Sequence, residues 1–299
     1  MFRRILVPLD GSKLSEASLP PARYLSEHLQ SAIVLLHVVE KNPPQEVHKE
    51  PHLKDADQAA AYLRSVAKSR FAPSTTVSTH VHAEPTEDVA RSIVDHSTRE
   101  IGVDLIVTCT HGETGALRLL FGSIAQKVAA ESRLPLLLIK PSSPTFKLER
   151  ILLPLDPDSE HDMSLPVGEY LAARCGATLR LLSVVPTPAT LAGEQAAAGN
   201  LMPATTQAFL DIKAENALED LRTHERLLRD RGVSAEAVVV RGEPVAQILR
   251  EAEARRVDLI VLSTHGRAGV RAFWARSVAP RVTERSTAPI LLLPASSSP

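Results

Sequence analysis

The segment that decides the fold occurs twice: residues 3–10 read RRILVPLD, and residues 149–156 read ERILLPLD. Two further segments repeat in the same order, VLLHVV (34–39) with RLLSVV (180–185), and DLIVTCTHG (104–112) with DLIVLSTHG (258–266). The first two pairs are separated by 146 residues and the third by 154. Repetition at this spacing indicates two tandem copies of one domain. The eight extra residues of the second copy are expected in a flexible loop around 186–203.

Each copy is predicted to alternate strands with helices. In the first copy, strands are predicted over the apolar segments ILVPLD (5–10), AIVLLHVV (32–39), DLIVTCT (104–110) and PLLLIK (135–140), and over the alternating segment TTVSTHVH (75–82). Helices are expected from Ser15 to Leu29, over about 53–70, from Pro85 onward and from Gly122 onward. Because nearly continuous apolar strands alternate with helices, the strands should pair in parallel and be covered on both faces.

The predicted fold class is α/β, with two tandem, doubly wound, Rossmann-like domains, each a five-stranded, mostly parallel sheet flanked by helices. The first domain is predicted over 1–141, a Pro/Ser-containing linker over 142–149, and the second domain over 150–299. Such sheets bind ligands at the carboxyl ends of their strands, where the strand order reverses. With a flavodoxin-like order, strands one and four would flank that point, beside Asp10 and Thr110.

Composition and charge exclude several functional classes. The 299-residue chain has a formal net charge of −1, which does not favour binding to nucleic acid or to an anionic membrane. Its only two cysteines, Cys109 and Cys175, argue against a disulfide framework and a cysteine-based zinc site. No segment has the length and apolarity of a signal peptide or a membrane-spanning helix. We therefore expect a cytoplasmic protein with no nucleic-acid or membrane partner.

Glycines cluster after the fourth predicted strand. Gly112, Gly115 and Gly122 are three of the five glycines in the first copy, and Gly122–Ser123 opens a predicted helix. Free N–H groups at a helix N-terminus bind anions, and glycine lets phosphate oxygens approach the backbone closely. The sequence therefore favours a phosphate site, with the alternative that these glycines only shape a turn and start a helix. No G-x-x-x-x-G-K-[ST] motif of P-loop proteins is present.

The pattern of Gly112, nine residues and Gly122–Ser123 resembles the universal stress protein superfamily, whose ATP-binding members carry Gly, two residues, Gly, nine residues and Gly-Ser or Gly-Thr. VPLD, LLHVV, THG and the LP-LLLI ending extend the resemblance over each copy. The resemblance implies an adenine nucleotide α-hydrolase-like fold and an ATP site, with Mg²⁺ as an associated ion. The implied site residues are Pro8, Asp10, Val38, Thr108, Cys109, Gly112, Gly122, Ser123 and Ile124.

Within that site, the resemblance assigns Asp10 and Val38 to the adenine and ribose. Pro8 and Thr108 would line the same pocket, and the backbone around Gly122 would hold the phosphates. Cys109 departs from the pattern, because it stands where its first glycine would be. Asp10 also suits a purely structural role as a turn or helix cap for the SKLSEA segment (12–17).

The second copy departs further from the nucleotide-binding pattern. Ser263 stands at the first glycine position, and Arg276 stands where the first copy has Gly122. An arginine side chain is expected to obstruct the close approach of a phosphate. We therefore expect the first copy to bind ATP and the second copy to have a degenerate, structural or regulatory site.

The leading functional hypothesis is a stress-response protein that binds ATP and acts as a nucleotide-dependent regulatory or protective module. One alternative is an interaction scaffold of the same family that binds no nucleotide. A second alternative is a nucleotide α-hydrolase enzyme, but its phosphate loop after strand one would be DGSKLSE, with one glycine. No Ser-His-Asp or paired-carboxylate set is recognisable, so we expect at most a slow ATPase.

Two further sequence patterns concern histidines and the fifth strands. His80 and His82 alternate on one face of a predicted strand, and His37 is expected nearby. Two histidines at this spacing can chelate a metal, but no acidic or thiol partner has a recognisable spacing, so we expect polar residues on an edge strand and no metal site. The fifth strands PLLLIK and PILLLP are apolar, and the family resemblance implies that the two copies pair through them as a pseudo-dimer. A homodimer of the whole chain is a further expected assembly.

Overall fold

The computed structural model describes residues 1–47, 50–53, 55–100, 102–110, 123–141, 146–156, 163–191, 193–263 and 278–294. These residues form two compact units. The first unit runs from Met1 to Lys147 and also contains Pro289–Pro294, and the second runs from Leu148 to Ala288. In both units a mostly parallel sheet is flanked by helices, which confirms the predicted α/β class.

Strands and helices alternate along the first repeat. Its strands are β1 (Arg4–Pro8), β2 (Ala32–Glu40), β3 (Glu46–Val47), β4 (Glu50–Pro51), β5 (Val77–Thr86), β6 (Leu105–Cys109) and β7 (Leu136–Ile139). Its helices are α1 (Lys13–Glu16), α2 (Leu19–Leu29), α3 (Ala56–Arg70), α4 (Val89–Asp95) with a π-helical turn (His96–Glu100), and α5 (Ser123–Glu131).

The second repeat follows the same alternation. Its strands are β8 (Arg150–Pro154), β9 (Thr178–Val185), β10 (Ala235–Arg241), β11 (Leu259–Ser263) and β12 (Ile290–Leu293). Its helices are α6 (Ser164–Cys175), a 3₁₀ turn (Pro188–Thr190), α7 (Gly193–Leu201), α8 (Pro203–Asp230), α9 (Pro244–Ala254) and α10 (Val278–Arg285).

The strand order of the first unit places β1 beside β6. Five parallel strands lie in the order β5–β2–β1–β6–β7, and β12 adds to β7 in antiparallel register within this unit. Ile5 of β1 pairs with Ile33 on one side and with Leu105 on the other. Strands one and four therefore flank the reversal point. The order is the Rossmann-type 3-2-1-4-5, however, and the flavodoxin-like order 2-1-3-4-5 is wrong.

The central strands are buried on both faces, as parallel strands between two helical layers require. Ile5, Leu6 and Val7 of β1 are 0% exposed, and so are Leu35 and Leu36 of β2. The side chains of this continuous apolar layer hold β1 and β2 in place. The polar residues that follow β1 are thereby fixed at the carboxyl edge of the sheet.

Two helix predictions in the first repeat are wrong. The helix predicted from Ser15 to Leu29 is two helices, because α2 begins at Leu19 with Pro20 and Pro21 in its first turn. A proline lacks the N–H that continues a helix and clashes with the preceding turn. Pro85 lies in the edge strand β5 and does not open a helix; edge strands tolerate a missing donor.

The insertion in the second repeat is helical, and the prediction of a flexible loop is wrong there. Residues 193–201 form α7, and the following helix α8 has 28 residues, compared with 15 in α3. Three consecutive alanines at 196–198 explain the helix, since alanine has the strongest helix propensity. Leu210 and Ala217 of α8 pack against Val185 at the end of β9.

The second unit has the corresponding order β10–β9–β8–β11 among its described strands. Helix α6 packs so closely on β8 that a Cβ atom at Gly168 would lie 2.6 Å from a methyl carbon of Leu153. Arg180 of β9 is 7% exposed and forms ion pairs with Glu236 of β10 and Glu251 of α9. Among the described residues, no helix combines the length and the apolarity needed to cross a bilayer.

Candidate functional site

A cavity of about 230 Å³ lies at the carboxyl edge of the first unit's sheet. The ends of β1, β2 and β6 form its floor, at the point where the strand order reverses. Val89 and Ile93 of α4 and Val128 of α5 supply apolar walls. Doubly wound sheets bind their ligands at this position.

Six of the nine predicted site residues line this one cavity: Pro8, Asp10, Val38, Thr108, Cys109 and Ile124. They come from four separate segments of the chain, at the ends of β1, β2 and β6 and the start of α5. Val38 is buried, whereas Ile124 is 36% exposed. The structure therefore places together the residues assigned to the base, the ribose and the edge of the phosphate site.

Gly112 and Gly122 lie outside the described residues, and so do Gly266 and Arg276 of the second repeat. Ser123 begins α5, but its side chain lies outside the described part. Phosphate binding by this loop, and obstruction of the second copy by Arg276, stay predictions.

Asp10 forms a turn immediately after β1. Its Oδ1 accepts hydrogen bonds from the backbone N–H of Ser12 at 2.9 Å and from the Ser12 hydroxyl at 2.7 Å. The Ser12 hydroxyl in turn caps α1 by accepting from the Ser15 N–H at 3.1 Å. Asp10 therefore has the structural role in the turn that its sequence context also allowed. The same residue lines the cavity.

The β3–β4 hairpin and the Leu53 side chain that follows it pack against the start of α1 and Gly11. Gly11 has φ +92°, and a Cβ atom at this position would lie 2.9 Å from the Leu53 side chain. Both the backbone conformation and the close contact therefore favour glycine. Glu50 accepts a hydrogen bond from the Lys13 N–H, which ties the hairpin to the start of α1. Val47 of the hairpin lines the cavity.

His37 of β2 is a buried imidazole in the cavity wall. It is 2% exposed, and its Nδ1 lies 2.8 Å from the carbonyl oxygen of Leu9. A carbonyl oxygen can only accept, so Nδ1 carries the proton and donates it. Burial lowers the pKa of His37, although the hydrogen bond to Leu9 acts in the opposite direction. The ring is therefore neutral at pH 7.

The Cys109 thiol is a neutral group in the cavity. Burial raises its pKa to about 12, while Lys140 has a smaller opposing effect. Its Sγ donates a hydrogen bond to the carbonyl oxygen of Thr110 at 3.2 Å. Since only the thiolate is a strong nucleophile, Cys109 contributes shape and polarity to this site and no covalent chemistry.

Several residues that line the cavity are not among those predicted from the sequence. His37 and Glu40 are polar, and Val47, Val89 and Ile93 are apolar. His37 and Glu40 stand on either side of Val38 in β2. Their position at the same strand end would have been enough to predict that they line the site. The other three come from a hairpin and a helix whose docking is not visible in local sequence.

The histidines of β5 lie on the other face of the sheet from His37. His37 pairs with Val81 across β2 and β5, whereas His82 pairs with Val38, and side chains alternate between faces. His96, after α4, contacts both other histidines, with ring centroids 5.1 Å from His80 and 4.6 Å from His82. Among the described residues, no three His, Cys, Asp or Glu side chains are arranged to hold a metal ion.

The model of the universal stress protein family matches residues 1–140 and, a second time, residues 147–294. The chain belongs to the universal stress protein family. The two matches cover both repeats, so this chain is a tandem universal stress protein with two family domains.

Two relatives show what this universal stress protein resembles. Universal stress protein MJ0531 of Methanocaldococcus jannaschii is 30% identical over 148 residues, covering 47% of this chain and 83% of its own length. Stress response protein NhaX of Bacillus subtilis is 26% identical over 162 residues, covering 46% of this chain and 97% of its own length. These similarities support a stress-response role at the level of the family.

A solved structure shares the whole tandem architecture. The universal stress protein from Archaeoglobus fulgidus DSM 4304 aligns with a TM-score of 0.69 and 19% identity, covering 98% of this chain and 97% of that chain. At this identity the similarity shows the fold alone. The site of this universal stress protein is therefore argued from its own residues.

Proposed function

We propose that the first repeat binds ATP in the cavity at the reversal point, and that the protein acts as a nucleotide-dependent regulatory or protective module in the stress response. One observation carries the proposal. Six residues predicted from separate parts of the sequence converge on a single cavity, at the sheet edge where doubly wound folds bind nucleotides. If these residues only formed turns and helix caps, there would be no reason for them to line the same cavity.

The lining chemistry fits an adenine nucleoside. Val38, Ile93 and Val128 provide apolar surface for a flat base. The Asp10 carboxylate, next to this surface, accepts hydrogen bonds from ribose hydroxyls. The phosphates then extend toward the start of α5, where we assign Gly112, Gly122, Ser123 and the Ile124 backbone to them. Mg²⁺ would neutralise the phosphates; the residues described here bind the nucleoside end.

The experiment is a measurement of nucleotide bound to the full-length protein. Purified protein is denatured with acid, and the released ATP, ADP and AMP are quantified, before and after incubation with ATP and Mg²⁺. A Gly122→Arg variant copies the arginine of the second repeat. Gln126→Arg is the matched control, because it adds the same side chain to α5 at a residue that does not line the cavity.

We expect one adenine nucleotide per chain in the wild type and in Gln126→Arg, and none in Gly122→Arg. Release of ADP from added ATP over hours would identify a slow ATPase. Absence of nucleotide from the wild type, even after added ATP and Mg²⁺, would instead favour the interaction scaffold. Cys109 is the feature that supports this alternative, since its side chain stands where the family pattern has glycine.

We further propose a domain division, a cellular location and an association between the two copies. We assign the domains to 1–141 and 150–299, with 142–149 as the linker, and we place the protein in the cytoplasm. We also propose that the two copies associate through their fifth strands. The antiparallel register of Ile290 with Leu138 supports this pairing. A homodimer stays a prediction, to be tested by light scattering.

A further inference from the structure

Helix α8 of the second repeat carries an apolar face that is open to solvent. Leu201, at the end of α7, and Met202, Phe209 and Ile212 are 57–82% exposed, although the neighbouring Leu210 is buried. We call the four exposed residues the α8 face. Single exposed apolar residues are normal on a protein surface, whereas a contiguous group of large ones marks an interaction site.

The α8 face has the spacing of a helix-pairing seam. Met202, Thr205, Phe209 and Ile212 are all exposed and follow one another at intervals of three, four and three residues. This is the spacing of the a and d positions of a coiled coil, which lie on one side of a helix. The next seam position is the polar Asn216, so the apolar seam is short. It suits a contact with one short stretch of a second helix.

The first repeat has no such face. Helices α3 and α8 both end shortly before the strand that follows them, so the additional length of α8 lies at its N-terminal end, where the α8 face is. Every residue of α3 belongs to the described part of the chain, and none of its large hydrophobic side chains is exposed. The face is therefore a property of the insertion that distinguishes the second repeat.

The N-terminus of α8 lacks the negative charge that a helix dipole favours. Met202 stands at the N-cap position without a side-chain hydrogen bond, and the first turn contains no acidic residue. In α3, by contrast, the Asp55 carboxylate caps the helix by accepting from the Gln58 N–H at 2.8 Å. A carboxylate near a helix N-terminus is stabilising. A partner that covers the α8 face and brings an acidic group to Met202 fits this end of the helix.

We propose that the α8 face is a homodimer interface, in which the α8 helices of two copies pack antiparallel about a twofold axis. With a positions opposite d positions, Met202 packs against Ile212 of the other copy and Phe209 against Thr205 of the other copy. A twofold axis makes both contacts occur twice. The inference gives the predicted homodimer an interface and does not depend on the nucleotide site, since no residue of α8 lines that cavity.

Charge favours a second copy as the occupant. Residues 201–210 read LMPATTQAFL and contain no charged side chain, so two α8 faces meet without like-charge repulsion. The absence of Lys and Arg from this segment disfavours an anionic membrane. In the antiparallel register, the exposed Glu215 of each copy lies beside the N-terminus of α8 in the other. Each copy thereby supplies the carboxylate that the other helix lacks.

The area of the α8 face fits a dimer of moderate affinity. At about 200 Å² for a large side chain, the exposed fractions correspond to on the order of 500 Å² per copy. Two such faces bury about 1,000 Å², which is the lower end of the range for specific interfaces. We therefore expect a dissociation constant on the order of 10 μM.

The test is sedimentation velocity of the full-length protein at loading concentrations from about 1 to 300 μM. The variants Phe209→Lys and Ile212→Lys each place a charge in the α8 face. Leu227→Lys is the matched control, because Leu227 is a 49% exposed apolar residue on the same helix but outside the face. Lysine is a good helix former, and circular dichroism checks that each variant is folded.

We expect the wild type and Leu227→Lys to dimerise with the same dissociation constant. Phe209→Lys and Ile212→Lys should raise that constant by about thirtyfold or more, because each charge would be buried twice in the symmetric interface. The orientation is tested by oxidising a mixture of Met202→Cys and Ile212→Cys. A disulfide should join the two variants in the mixture, and neither variant should cross-link with itself. Wild-type protein controls for the native cysteines.

Three outcomes would overturn the proposal. A wild type that stays monomeric at the highest concentration would leave the α8 face to a different partner. A dimer that persists in Phe209→Lys and Ile212→Lys would place the association elsewhere on the chain, and so would equal weakening by Leu227→Lys. Cross-linking of Met202→Cys with itself, and none in the mixture, would exclude the antiparallel arrangement. None of these outcomes bears on ATP binding, which the nucleotide measurement tests separately.

Discussion

Replacing Asp10 by Asn and by Ala separates its turn-forming role from its proposed ligand-binding role. The Asp10 Oδ1 atom accepts from the Ser12 N–H at 2.9 Å and from the Ser12 hydroxyl at 2.7 Å. Asn keeps a carbonyl oxygen that can accept both bonds, whereas Ala keeps no acceptor. Asn also replaces the second carboxylate oxygen with an NH₂ group, which donates instead of accepting.

The hydrogen bonds and partial burial of Asp10 give the expected changes in stability and in ATP affinity. Losing a side-chain acceptor at a helix-initiating turn costs about 0.5–2 kcal/mol of stability. Asp10 is only partly buried, so we expect Asp10→Ala to lower the free energy of unfolding by about 1 kcal/mol and Asp10→Asn by less than about 0.5 kcal/mol. A hydrogen bond to a charged group contributes about 1.5–3 kcal/mol, so both variants should weaken ATP binding by about tenfold or more.

Urea unfolding followed by circular dichroism gives the stabilities, and titration with ATP and Mg²⁺ gives the affinities. Asp104→Asn and Asp104→Ala are matched controls. The Asp104 carboxylate also accepts from backbone N–H groups, those of Arg3 at 2.7 Å and Arg4 at 3.0 Å, but before β6 and away from the cavity. These controls should lose stability and keep ATP affinity. Wild-type ATP affinity in Asp10→Asn would refute a ligand-binding role for the carboxylate.

Three further predictions concern the sheet and its helices. Arg180→Met should lower the free energy of unfolding, measured with urea, by about 2–4 kcal/mol, because it removes the partner 2.8 Å from the Glu251 carboxylate. The double variant with Glu251→Gln should recover most of this loss of stability. Because burial lowers the pKa of His37, the unfolded chain takes up the proton first, so native stability should fall as the pH drops below about 6.5. His37→Ser should show a shallower decline between about pH 7 and 5.5, and equal declines would contradict this account. Gly168→Ala should lower the melting temperature, because its Cβ would lie 2.6 Å from a leucine methyl of β8, whereas Gly199→Ala has contacts of 3.4 Å or more and should leave it unchanged or raise it.

Much of the fold was predictable from local sequence. The repeats RRILVPLD and ERILLPLD, together with the other matched apolar segments, located the strands, because an uninterrupted apolar segment between turns has few alternatives in a doubly wound fold. The wrong local predictions were those that depended on context. Pro85 is compatible with a helix start or an edge strand, and only the position of β5 at the sheet edge distinguishes them.

The candidate site was predictable only in part. Asp10, Val38 and Cys109 were predicted through the resemblance to the universal stress proteins, and all three line the cavity. His37 and Glu40 were missed as lining residues, although they stand on either side of Val38. Local sequence does not show that the end of β2 and Val47 of the β3–β4 hairpin line one cavity.

The sequence by itself determined the tandem repeat, the α/β class and the difference between Gly122 and Arg276, since each is a property of neighbouring residues in the chain. Only the tertiary structure decided that β1 lies beside β6 and that His37 faces the opposite side of the sheet from His80. The physical reason is that these relations depend on strand order and on the alternation of side chains across paired strands. Strand order and strand pairing depend on the burial of apolar surface over the whole unit, so no single segment of the sequence determines them.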